Sequence, residues 1–143
     1  MRRFLEHLHH LFDEEEEAAT RDNAAGAVCR IVHVAGSMLP LPQILPAIVQ
    51  ALPLRGDVDE AEAVYGCLVE VTAPNVSRDL PKQLFQDIVS ALAQGCVIEK
   101  VDPTVRRKTA QCLASLDGNQ DAMEVLQCLP DSHRQAISRL LSE

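Results

Sequence analysis

The sequence predicts an all-α chain, folded as a short stack of antiparallel helical hairpins. Three observations carry that expectation: a motif that recurs along the chain at a near-constant interval, apolar side chains at helical spacing, and a core supply poor in aromatics. Hydrophobic residues make up 47% of the chain but aromatics only 3%, with no Trp, so Leu, Val, Ile and Ala must fill the interior. Small and branched aliphatic side chains of that kind suit helices packed closely on one another.

The repeat is the strongest signal. Ile48-Val49-Gln50-Ala51-Leu52 returns as Ile88-Val89-Ser90-Ala91-Leu92 and again, after a slightly shorter interval, as Val125-Leu126-Gln127-Cys128-Leu129. Leu8-His9-His10-Leu11-Phe12 is a weaker copy one interval upstream of the first. A second kind of segment alternates with these: Asn23-Ala24-Ala25-Gly26-Ala27-Val28, then Ala63-Val64-Tyr65-Gly66-Cys67-Leu68, then Lys108-Thr109-Ala110-Gln111-Cys112-Leu113. A helix pair every ~40 residues is the length of HEAT and armadillo repeats. The expected architecture is an α-solenoid of about 3 to 4 antiparallel HEAT pairs in a right-handed superhelical stack. One segment spans 1–143, with pairs at 1–36, 37–74 and 75–117 and a capping pair at 118–143.

Each element follows from its residues. The first kind of helix lines up apolar positions, as in Ile44, Leu45, Ile48, Val49 and Leu52, and that stripe must face a neighbour. The second kind carries Ala24, Gly26, Ala27, Gly66 and Ala110, small residues that permit close approach. Breakers set the ends: Gly36 and Pro40, Pro53 and Gly56-Asp57, Pro74-Asn75, Gly95, and Asp117-Gly118-Asn119. Asp102-Pro103 is a clear start, an N-cap carboxylate followed by Pro at the first helical position. Pro46 is expected to kink its helix or mark the first turn. From Asp131 to Glu143 a closing helix sets Ile137, Leu140 and Leu141 on one face.

Charge narrows the partners. The net charge of −8 is concentrated in residues 1–70, with 12 acidic and 5 basic side chains, against 9 and 8 in residues 71–143. A field of this sign repels phosphate backbones and anionic lipid and attracts basic proteins, so direct nucleic-acid and membrane binding are not expected. No run approaches the roughly 18 apolar residues of a membrane span, and Glu6, His7, His9 and His10 interrupt the first apolar stretch, which argues against a span or a secretory signal. Five Cys without any CxxC spacing each fall in an apolar helical pattern and read as reduced core residues. The expected compartment is cytoplasm and nucleus.

Candidate binding residues fall in two acidic groups one repeat apart. Asp13, Glu14, Glu15, Glu16 and Glu17 precede the first helix of the second kind, and Asp57, Asp59, Glu60 and Glu62 precede the next. Carboxylates there complement the helix dipole, and turns in register stack into one surface. Glu16, Asn23, Arg30 and His33 share a stripe opposite Val28, Ile31 and Val32. Asp22 reads either as part of that surface or as a tie to the neighbouring repeat. Pairs such as Cys29 with His33, or His7 with His10, supply two ligands where a metal site needs more, so no metal and no cofactor is expected. Phosphate-loop, nucleophile-elbow and zinc-protease motifs are absent, and the chain reads as a binding protein without catalysis. Arg106, Arg107 and Lys108 form the one basic cluster, expected to pair with Glu99 and Asp102 between adjacent repeats.

The strings EEEEAATRDNAAGAVCRIV and PLPQILPAIVQALPLRGDVDEAEAVYGCLVEV resemble C-terminal HEAT repeats of the importin-beta (karyopherin) superfamily. The resemblance is strongest from Glu14 to Val71 and fades into general HEAT character beyond. Its most specific parts are the acidic run leading into Arg21-Asp22-Asn23-Ala24 and Leu52-Pro53-Leu54 leading into an acidic turn, whereas Met1 to Phe12 departs from the pattern. The resemblance implies a C-terminal fragment of a nuclear transport receptor, carrying basic cargo such as core histones or ribosomal proteins. It also implies that the parent binds the GTPase Ran through repeats this chain lacks, and that Asn23 hydrogen-bonds an extended cargo backbone. The alternative is a HEAT scaffold or adaptor for complex assembly, unrelated to transport.

Overall fold

The computed structural model of the chain describes residues 18–54 and 58–142. Among these there are eight α-helices and no strand: α1 (Ala18–Ala35), α2 (Leu41–Gln50), α3 (Ala61–Val71), α4 (Pro74–Ser77), α5 (Lys82–Gly95), α6 (Pro103–Ser115), α7 (Gln120–Gln127) and α8 (Asp131–Ser142). Single 3-10 turns, Gly36–Met38 and Val58–Glu60, follow α1 and precede α3. No described helix is long and apolar enough to cross a membrane.

The helices alternate between two rows. In one, α5 packs on both α2 and α7; in the other, α1, α3, α6 and α8 pack in succession. Contacts of α1 with α2, α3 with α5 and α5 with α6 join the rows. The recurring Ile48 and Ile88 occupy equivalent places in α2 and α5, both at 0% exposure, while their counterpart Val125 in α7 is half-buried. The period in the sequence thus reports which helices lie in the same row.

The hub is α5, which touches α2, α3, α6, α7 and α8. It buries Leu84, Phe85, Ile88, Val89, Ala91, Leu92, Ala93 and Gly95, more than one face of an amphipathic helix, because neighbours cover it on several sides. Burial of one large aliphatic side chain contributes about 1.5 to 3 kcal/mol, so this helix holds much of the core. On the outside, Lys82 Nζ lies 3.3 Å from Glu124, and Gln86 Nε2 donates to Glu124 at 2.9 Å and to the Asp121 carbonyl at 3.1 Å. These exposed links fix the α5/α7 pairing more than they stabilise it.

Helix ends follow local chemistry. α1 stops before Gly36, and α5 ends at Gly95. Asp102 caps α6, its Oδ1 accepting from the Thr104 amide at 2.7 Å, and Asn119 caps α7 by accepting from Ala122 at 3.0 Å. Replacing Asp102 with Ala is expected to lower stability by about 1 kcal/mol, read as an earlier urea midpoint. A change of only a few tenths would mean that Pro103 alone sets the start.

Several expectations are corrected. Of the two readings of Pro46, the first-turn one is overturned, since Pro46 lies inside α2 beyond its first turn, with Pro40 as the N-cap and Pro42 in the first turn. Pro74-Asn75 does more than end a helix, because it opens the single-turn α4 across the boundary at 74/75. Ala27 is exposed, and a Cβ at Gly66 would meet nothing within 4 Å, so neither mediates helix contact. Cys29, Cys67 and Cys96 are buried, but Cys112 is half-buried and Cys128, just past α7, is exposed. Leu141 is 45% exposed although Leu140 is buried, because consecutive positions on α8 differ by about 100° around its axis.

Candidate protein-binding surface

Two grooves flank α3, and its exposed face separates them. The α1/α3 groove, about 460 Å³, is lined by Arg30, His33, Asp59, Glu62, Gly66 and Glu70 among others. The α3/α6 groove, about 660 Å³, shares Asp59, Glu62 and Gly66 and adds Lys100, Asp102 and Lys108. Glu62, Gly66 and Glu70 are spaced four apart and stand in line along α3. Both grooves are open troughs between packed helices, shaped for a chain segment more than for an enclosed small molecule.

Bonds from α1 cross the first groove. Arg30 Nη2 donates to Glu60 Oε2 at 2.7 Å, with the Glu60 side chain 15% exposed. His33 Nδ1 and Glu70 Oε1 also lie 2.7 Å apart, both well exposed. Gly26 makes the first bond possible, because a Cβ there would occupy the space of the Glu60 carboxylate. The Arg30–Glu60 ion pair and the His33–Glu70 contact orient α1 on α3 and contribute at most about 1 kcal/mol each.

Each sequence-derived candidate has a definite standing. Asp13, Glu14, Glu15, Glu16, Glu17 and Asp57 lie outside the described residues, as do His7 and His10, so the stacking of the two acidic turns lies outside them too. Asn23 is exposed on α1, and Asp59 and Glu62 line the grooves beside α3. Glu60 is the residue before α3 and is turned onto Arg30, so the structure gives it a bracing duty. Asp22 is corrected: at 2% exposure it belongs to the interior, where a partner does not reach it. Ile31, expected to face inward with Val28 and Val32, is 42% exposed. Glu70 is not among the sequence-derived candidates, although its spacing from Glu62 places both on one face.

Two members of the basic cluster have other surroundings than the expected pairing with Glu99 and Asp102. Arg106 Nε donates to the Val101 carbonyl at 3.0 Å, and Lys108 faces the α3/α6 groove. The Cys29 and Cys96 thiols are held protonated at neutral pH. Contact with Cys67, burial and the Glu60 charge push Cys29 up against a smaller opposing effect of Arg30. Burial likewise raises Cys96 to about 12. Among the described residues no three His, Cys, Asp or Glu side chains stand together as metal ligands would.

Comparison with known proteins adds a partial likeness. No family model matches the chain. Over 50 residues, 35% of its length, it is 38% identical to Importin-4 of Homo sapiens, and that stretch spans 5% of the human protein. The match therefore concerns a small part of a much longer molecule.

Proposed function

We propose that the chain is a HEAT-repeat segment of a nuclear transport receptor that binds basic protein cargo, such as core histones or ribosomal proteins, without catalysis or a cofactor. The observation that carries this reading is the carboxylate line Glu62 and Glu70 on α3, with Asp59 beside it, standing between two open grooves. The two-row helix packing and the limited likeness to Importin-4 support it. The acidic run Asp13 to Glu17 extends the same charge toward the N-terminus in sequence. In this reading the parent works in cytoplasm and nucleus and meets Ran through repeats outside this chain.

A binding isotherm with a lysine-rich histone-tail peptide tests the proposal. At low salt the peptide is expected to bind better than its scramble. The affinity should fall steeply as salt rises, because exposed charge pairs are screened within about 10 Å at roughly 0.1 M. A variant carrying Glu14, Glu15, Glu16 and Glu17 as Gln should bind more weakly. Equal binding of peptide and scramble would reject a cargo site. A second reading, an adaptor with an apolar interface, is favoured by Val34 and Met38, which are 84% and 82% exposed on and just after α1. That adaptor would bind its partner with little dependence on salt.

A further inference from the structure

Gly66 stands in the middle of α3, where a glycine weakens a helix relative to alanine. Nothing in the described residues calls for it. No described glycine has a positive φ, so its backbone conformation is open to any residue. Gly26 and Gly95 each have a side chain seated where a Cβ would be, Glu60 and Tyr65 respectively, but a Cβ at Gly66 would meet open space. The same position lines both grooves beside α3. The missing side chain leaves the ridge between them lower at this position.

We propose that Gly66 is a saddle over which an extended segment of a partner protein crosses α3, with two adjacent basic residues of that segment directed at Glu62 and Glu70. The proposal rests on the reading that the chain binds basic protein segments, and it adds the crossing point and the residue pattern recognised. Close approach of a foreign backbone is a recurrent reason for glycine where the fold itself needs none.

The geometry selects adjacent cations. Glu62 and Glu70 each lie one helical turn from Gly66, about 6 Å to either side along the helix axis. A segment crossing α3 covers a helix spacing of about 10 Å, which about three extended residues span. Successive side chains of such a segment point to opposite sides, so one basic residue faces Glu62 and the next faces Glu70. Among the described residues Glu62 has no ion pair or hydrogen bond, and Glu70 meets His33 through Oε1, leaving Oε2 for a cation. Past the saddle, Lys100 and Lys108 line the α3/α6 groove and favour an uncharged or acidic residue next in the segment.

The test titrates two labelled decapeptides of Gly and Ser into the whole chain at low salt. One carries two adjacent lysines; the other has the same composition with one residue between the lysines, so that both point the same way. The adjacent peptide is expected to bind up to about five-fold more tightly, the worth of one exposed charge pair. Gly66→Ala is expected to weaken its binding about ten-fold while raising the thermal midpoint, a pairing that a purely structural glycine would not show. Glu62→Gln and Glu70→Gln should each weaken it as well. Unchanged affinity in Gly66→Ala beside a loss in Glu62→Gln would overturn the saddle and leave the basic-segment reading standing. Failure of the wild-type chain to bind either lysine peptide or a histone tail would overturn both.

Discussion

Ile88→Ala is expected to lower stability by about 2 to 5 kcal/mol, the range for truncating a buried aliphatic side chain. Ile88 is at 0% exposure in α5, the helix that meets five others, and it lies one turn from Leu84, Phe85 and Leu92 in the same buried face. A cavity there opens among rigid, fully covered neighbours, so collapse of the site is limited and the upper half of the range applies. Domain stabilities run to about 5 to 15 kcal/mol, which makes this single change large enough to leave the stack partly unfolded at body temperature. Urea unfolding followed by circular dichroism measures it. A loss below about 1 kcal/mol would mean that α5 can shift within the stack to refill the space.

The second large effect is expected at Gly95. A Cβ at that position would stand 2.6 Å from Tyr65 Cε1 and 2.9 Å from Cζ, inside van der Waals contact. Tyr65 is 1% exposed, so its ring is enclosed by the core and cannot swing out into solvent without opening it. Gly95→Ala therefore separates α5 from α3 or forces the ring off its rotamer, and overpacking of this kind lowers stability by about 1 to 3 kcal/mol. The small helical gain from alanine does not offset it at the last position of the helix. Gly66→Ala makes the internal comparison, because the same chemical change in open space is expected to raise stability by up to about 1 kcal/mol. Thermal melts of the two variants should move in opposite directions. Movement in the same direction would show that helix propensity, and not the contact with Tyr65, governs both sites.

The tyrosine shows why that contact is hidden from a reading of the chain. Tyr65 and Gly95 belong to different helices far apart along the chain, and each resembles an ordinary member of its own helix. Burial pushes the Tyr65 hydroxyl up, with smaller contributions from Cys96 and Asp22, groups brought near it from two other helices or their ends. Asp22 is the clearest case of an ambiguity settled by packing. Its sequence context beside exposed Asn23 suits a binding stripe as well as a structural tie, and only the packed structure decides that it is covered.

Much of the all-helical organisation is legible in the chain, because helix-forming patterns are local. Apolar spacing marks α2 and α5, Asp102-Pro103 marks the start of α6, and Gly36 and Gly95 mark ends, each through interactions within a few residues. The recurrence of Ile48 and Ile88 carries longer-range information, since equivalent positions in like helices meet like neighbours. The candidate surface is legible only in part. Glu62 and Asp59 stand out through a charged turn, whereas Glu70 requires the face shared with Gly66.

What the sequence determined by itself was therefore the kind of element, the places where elements end, and the acidic character of the N-terminal half. Those properties depend on backbone preference, short-range spacing and summed charge. The tertiary structure alone decided which glycines are filled by a neighbour, which carboxylates brace α1 against α3, and which carboxylate, Asp22, is withdrawn from solvent. Each of these depends on distances between residues of different helices, and spacing along a chain does not specify how two helices rotate against each other.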